Sequence, residues 1–66
     1  MSQPIRMLRL PQVLKKTGLS RSQIYRLIAL GNFPTQIQLS ERISGWIEIE
    51  IDQWLQERIE LSRERS

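Results

Sequence analysis

A chain of 66 residues with neither cysteine nor histidine has no disulfide, no thiolate or imidazole metal ligand and no histidine general base, and it is too short to enclose a roomy active site. No apolar run approaches the roughly 20 residues that span a bilayer, and the N-terminus lacks the apolar core of a signal peptide, so a cytoplasmic location without a membrane partner is expected. The net charge of +3 hides a division: residues 1–47 hold seven basic residues and one acid, net +6, whereas residues 48–66 hold three basic residues and six acids, net −3. The first two-thirds would attract a polyanion and the last third would not.

Residues 1–7 read as a flexible leader, because Pro4 opposes early regular structure and no helical period is present. Arg6 and Arg9 are placed either to meet a phosphate backbone or simply to be solvated. Leu8 and Leu10 are the first residues with an evident core role.

Pro11 suits the first position of a helix and Gly18 the position just past its end, which predicts a short helix from Pro11 to Lys16. Val13 and Leu14 supply its buried side. Lys15 and Lys16 either oppose the negative end of its dipole or contact a nucleic acid. Only Thr17, Gly18 and Leu19 separate this helix from the next.

The second helix has its start written in side chains: Ser20 is a good N-cap, Gln23 stands where it can bond back to the cap, and Leu19 with Ile24 can form a hydrophobic staple. Ile24, Leu27 and Ile28 recur at helical spacing and form the buried side, with Leu30 on its flank. Ser22, Tyr25, Arg26 and Ala29 then lie on the opposite face with Arg21 at its shoulder, which makes that face the candidate functional surface. Gly31 closes the helix, and Asn32-Phe33-Pro34 cannot continue it. Phe33 is expected to fill the gap between helix and sheet.

Gln36 to Leu39 alternates polar and apolar, as a half-buried strand does, and Ile43 to Ile47 returns through Gly45 and Trp46. Ser40, Glu41 and Arg42 form the tip of this hairpin. Arg42 is either a wing contact to a minor groove or phosphate, or one charge of a solvated turn. From Glu48 onward runs the longest helical segment, with Ile47, Ile51, Trp54, Leu55 and Ile59 on one face and Glu48, Glu50 and Asp52 in the first turns, where negative charge suits the dipole. Trp46 and Trp54 read as core anchors. A paired-carboxylate active site is not expected, because nothing apolar encloses these acids and no metal ligand accompanies them. Leu61 extends the packing or is left for a partner, and residues 62–66 are expected to fray.

Short helix, glycine-containing turn and second helix with a polar outer face match the helix-turn-helix pattern. The segment LRLPQVLKKTGLSRSQIYRLIALGNFP, a short hairpin and then GWIEIEIDQWLQERI resembles, from Leu8 to Ile59, the AlpA family of small phage and prophage DNA-binding regulators. That resemblance rests on TGLSRSQIYRLI with its Gly-Asn-Phe-Pro exit, the hairpin, and GW before an acidic helix carrying D-x-W-L, in this order. It implies a mainly α fold with a small β-hairpin, a winged helix-turn-helix similar to those of excisionases and MerR-type regulators, with three helices and a two-stranded wing. It implies a domain over residues 8–61, a recognition helix at 20–30, a DNA-contacting set of Arg21, Ser22, Gln23, Tyr25 and Arg26, and a wing at 40–44. Glu41 at the wing tip departs from the family's commoner basic wing.

The function expected is a sequence-specific, nucleoid-associated transcriptional regulator that binds double-stranded DNA, without enzymatic activity, cofactor, metal or small-molecule substrate. The contacting residues would be Arg21, Ser22, Gln23, Tyr25, Arg26, Arg42, Lys15 and Lys16. A module this small buries only about 600–1,000 Å² on DNA, so several copies on adjacent or repeated sites are expected. An excisionase that bends attachment-site DNA is one alternative. A protein-interaction adaptor using the acidic last helix is another.

Overall fold

The computed structural model describes residues 4–65. Along the chain the elements are β1 (Met7–Leu8), α1 (Leu10–Thr17), α2 (Arg21–Ala29), β2 (Ile37–Ser40), β3 (Ile43–Ile47) and α3 (Glu48–Arg65). Three helices and one small antiparallel sheet make a mainly helical fold compatible with a winged helix-turn-helix.

The helix ends are set by local chemistry. In α1 the Gln12 side chain accepts from the Arg9 N–H at 2.8 Å, and Gly18, at φ 75°, donates its N–H to the Leu14 carbonyl. The helix begins one residue before Pro11, at Leu10, since the carboxamide of Gln12 serves as the start signal. Thr17 ties the turn together: its hydroxyl donates to the Val13 carbonyl at 2.8 Å and accepts from the Leu19 N–H at 3.2 Å. At the start of α2, Ser20 Oγ accepts from the Gln23 N–H and Gln23 Oε1 accepts from the Ser20 N–H, a reciprocal capping box. At its end, Gly31 donates to the Ile28 carbonyl and Asn32 to the Leu27 carbonyl, the paired bonds of a Schellman motif. Gly31 has φ 76°, the left-handed conformation that this motif requires.

The core is Leu8, Val13, Ile24, Phe33, Trp46 and Ile51, one or two residues from each part of the chain. Leu10, Leu14, Leu19, Leu27, Ile28, Trp54 and Leu55 pack around it. Phe33 meets Trp54 edge to face, with centroids 4.8 Å apart. On either side of Phe33 the loop is held by an indole: Trp54 Nε1 donates to the Asn32 carbonyl at 2.6 Å, and Trp46 Nε1 donates to the Pro34 carbonyl at 3.0 Å.

Several sequence expectations are corrected here. The expected two-stranded hairpin is present as β2 and β3, and a third strand not expected from the sequence, β1, joins it in the order β1-β3-β2, because Met7 pairs with Ile47 and Leu8 with Trp46. The end of the expected leader is thereby docked on the core, and the Glu48 N–H donates to the Arg6 carbonyl beside it; residues 1–3 of that leader lie outside the described residues. The polar and apolar alternation of the hairpin does not make β2 half-buried: all four of its residues are exposed, since neither helix layer covers the face that carries Ile37. Ile59 is exposed as well, because α3 runs past the end of the core and every residue from Gln56 to Glu64 is solvent-exposed. Helix α3 continues through Arg65 over the segment expected to fray, and Ser66 lies outside the described residues.

Gly45 marks the closest approach in the sheet. A Cβ built there would stand 2.8 Å from the backbone carbonyl oxygen of Leu8. Gly45→Ala must therefore push β1 away from β3 and is expected to destabilise the fold by about 1–3 kcal/mol, the range of overpacking. Urea denaturation checks this, and an unchanged midpoint would show that the β1 contact carries no stability.

Candidate nucleic-acid interface

The capping box and the Schellman motif fix both ends of α2, so the direction of each of its side chains is set by the helix alone. Ile24 is fully buried, Leu27 and Ile28 are half-buried, and Arg21, Ser22, Gln23, Tyr25, Arg26 and Ala29 are exposed. The two faces expected from the helical period are therefore present. The Arg21 guanidinium lies 5.9 Å from the centroid of the Tyr25 ring, a cation–π contact one turn apart that orients both groups outward. Gln23 is partly engaged, since its Oε1 holds the Ser20 N–H in the capping box.

The basic residues separate into held and unheld groups. Lys16 Nζ lies 2.6 Å from Asp52 Oδ1 and 3.1 Å from Glu48 Oε2, so it ties α1 to the first turns of α3. Arg6 Nε is 4.0 Å from Glu48 Oε1 and joins the same cluster. Hydrogen bonding to Asp52, then to Glu48, raises the Lys16 ammonium above its ordinary pKa of 10.5. Among the described residues, Lys15, Arg21, Arg26 and Arg42 make no ion pair. All four are exposed.

The unheld cations include two on the outer face of α2, one at the end of α1 and one at the hairpin tip, and Arg9 before α1 is likewise exposed and without an ion pair among the described residues. A surface of this kind attracts a polyanion through guanidinium and ammonium groups whose charge is not already compensated. Ser22 and Tyr25 add hydroxyls able to bond phosphates or base edges. At the hairpin tip, Gln38 Nε2 donates to the Ser40 carbonyl at 3.0 Å and to the Glu41 carbonyl at 3.2 Å, so the turn that presents Arg42 is braced from within. Glu48 and Asp52, expected only as helix-starting residues, also serve as the counter-charges of Lys16. Their spacing of four residues on one helix face is visible in the sequence; the lysine that meets them lies 32 residues from Glu48 and is not.

Among the described residues there is no group of acids able to hold a metal ion, and no helix is long and apolar enough to cross a membrane.

The family model for the Prophage CP4-57 regulatory protein (AlpA) matches residues 6–59. This chain belongs to the AlpA family. The match covers all three helices except the last part of α3, together with the whole sheet. A protein of Escherichia coli (strain K12) described as the DNA-binding transcriptional activator AlpA is 41% identical, over 86% of this chain and 90% of its own length. An uncharacterized protein of Enterobacteria phage P4, ORF88, is 44% identical over 82% of this chain; the aligned region spans 61% of the phage protein. No solved structure matches the chain significantly.

The Lys16 cluster gives a pH dependence with a defined sign. The group is raised in the folded state, so its stabilisation is present in full below pH 10.5 and is lost as pH rises through the higher folded value. The melting temperature of the wild type is expected to exceed that of Lys16→Met at neutral pH, and the difference to shrink in strongly alkaline buffer. A difference that stays constant across that window would mean that the ammonium pairs are energetically silent.

Proposed function

We propose that this AlpA-family chain is a sequence-specific, non-enzymatic DNA-binding transcription regulator of phage type, acting in the cytoplasm at the nucleoid, with α2 entering the major groove. The observation that carries this reading is the outer face of α2: Arg21, Ser22, Tyr25 and Arg26 project from a helix locked at both ends, and neither arginine has an acidic partner among the described residues. The E. coli relative described as a DNA-binding transcriptional activator supports it. In this reading residues 8–61 form the binding domain.

The roles follow from chemistry and place. Arg26 and Arg21 pair bidentately with guanine edges or clasp phosphates, and Ser22 and Tyr25 bond phosphates or bases. Gln23 has its oxygen in the capping box, so its part is donation through the amide nitrogen. Lys15 meets the phosphate backbone at the end of α1. Lys16 supports the site indirectly by holding α1 on α3 while its charge faces Glu48 and Asp52. Arg42 extends the footprint from the hairpin tip. Neither cofactor nor metal enters this mechanism, and a module of this size requires more than one copy on neighbouring sites for useful affinity.

Selection of duplexes from a random pool, followed by fluorescence anisotropy at several salt concentrations, tests the proposal. A defined sequence is expected, with binding that weakens steeply as salt rises. Arg26→Ala is expected to cost about 1–3 kcal/mol and to relax preference at one base position if Arg26 reads guanine, or to weaken all sequences equally if it holds a phosphate. Failure to select any sequence, or binding indifferent to both Arg21 and Arg26, would reject the proposal. Strong bending of the selected duplex would instead mark the architectural, excisionase-type member of this class.

A further inference from the structure

Beside the loop that follows α2 lies an open groove of about 530 Å³. One wall is residues 31–35, and the other is the side of α3 that bears Glu50, Gln53, Trp54, Glu57 and Arg58. Phe33 and Trp54, edge to face, supply its aromatic part. The Arg58 guanidinium lies over Trp54, 5.1 Å from the ring centroid. Glu50 and Glu57 are exposed and make no ion pair among the described residues. None of Arg21, Ser22, Tyr25 and Arg26 borders the groove.

The same side of α3 continues past the core. At about 100° per residue, Leu61 returns to within about 20° of the direction of Trp54, two turns further along the helix. Leu61 is 48% exposed, in the stretch from Gln56 to Glu64 that lies outside the core. Charge divides along the helix as well. Residues 48–57 hold four acids and no base, net −4, whereas residues 58–65 hold three arginines and two acids, net +1. One side of α3 thus presents both an acid-rimmed aromatic groove and, beyond it, an exposed leucine in a net basic segment.

We propose that the α3 helices of two copies of this chain pair antiparallel along this side, each placing Leu61 in the groove beside Trp54 of the other. A two-fold axis between positions 57 and 58 sets Trp54 opposite Leu61 and Glu57 opposite Arg58. Each pairing then occurs twice, as an isologous contact requires. All four residues lie within about 60° of the Trp54 direction around the helix, so the register opposes residues of one face.

Charge selects both the occupant and its direction. Antiparallel pairing lays the acidic half of each α3 against the basic half of the other. Parallel pairing would lay acidic half on acidic half and set Glu57 against Glu57, which like-charge repulsion opposes. An occupant that suits the groove is apolar with positive charge beside it, and the chain has one at the matching distance along its own helix. The contact covers residues 50–64, about 21 Å at 1.5 Å per residue, and is narrow. It falls below the roughly 1,200–2,000 Å² of a stable interface, so the dimer is weak and depends on concentration.

Sedimentation equilibrium of the full chain without DNA, from about 10 µM to 1 mM, is expected to show a passage from monomer to dimer. Nuclear magnetic resonance over the same range reads the surface. The Trp54 indole N–H signal is expected to move with concentration, and that of Trp46, in the core, to stay. Leu61→Glu, at an exposed position, is expected to keep the chain monomeric with the helical circular dichroism of the wild type. Glu57→Arg and Arg58→Glu each bring like charges together twice and are each expected to weaken the dimer about tenfold. Their combination restores opposite charges across the two-fold and is expected to recover the wild-type association, a recovery that parallel pairing does not produce. A chain monomeric at 1 mM, a dimer indifferent to Leu61→Glu, no recovery in the double variant, or shifts that spare Trp54 would overturn the proposal. So would a chain that stays monomeric while a synthetic peptide of alternating leucine and arginine moves the Trp54 signal, which would assign the groove to a basic segment of another protein. No DNA enters the experiment, so its outcome is independent of the DNA-binding reading.

Discussion

Two indole N–H groups grip one short loop and so tie the end of α2 to β3 and α3. Trp54 Nε1 holds the Asn32 carbonyl and Trp46 Nε1 holds the Pro34 carbonyl, with Phe33 pressed edge-on against Trp54 between them. The loop is where α2 ends and the path to the hairpin begins. Its carbonyls at Asn32 and Pro34 each accept from an indole rather than from a strand ladder. The indoles satisfy both and carry large apolar rings into the core at the same time. The result is a single joint between α2, β3 and α3. The outer face of α2 is aimed by this joint as well as by its own caps.

Charge is organised on the same plan. The acids of the last third are not spread at random over α3; Glu48 and Asp52 receive Lys16 from α1, and Glu48 also faces Arg6. This arrangement holds α3 against the helix-turn-helix and removes Lys16 from the pool of available cations. Lys15, one residue earlier, stays exposed and makes no ion pair among the described residues. Adjacent lysines in a helix point about 100° apart, and that rotation decides which one is structural.

The hairpin has two unlike parts. Its tip bears Arg42 and is braced by Gln38, while its outward face is built from Ile37, Leu39 and Ile43. Isolated two-stranded hairpins are marginal in water, and here β1 stiffens the pair from the other side by closing over Gly45. The hairpin thus carries an apolar face and, at its tip, a charged turn.

The sequence alone determined the helices and their two faces. Ser20 with Gln23, Gly18 and Gly31 act on residues three or four positions away, and such contacts are the same wherever the helix is packed. The outer face of α2, with Arg21, Ser22, Tyr25 and Arg26, was legible for the same reason, since a helical period divides exposed from buried positions once Ile24 is placed inside. Tertiary structure decided the rest. The strand Met7–Leu8 exists only because Trp46 and Ile47 are there to pair with it, some 40 residues later in the chain. Lys16 became a tether only because α3 brings Glu48 and Asp52 beside it. The alternation in Ile37–Ser40 shows that a strand has two unlike faces, but not whether anything covers the apolar one. Burial is a property of neighbours distant in sequence, and periodicity contains no information about them.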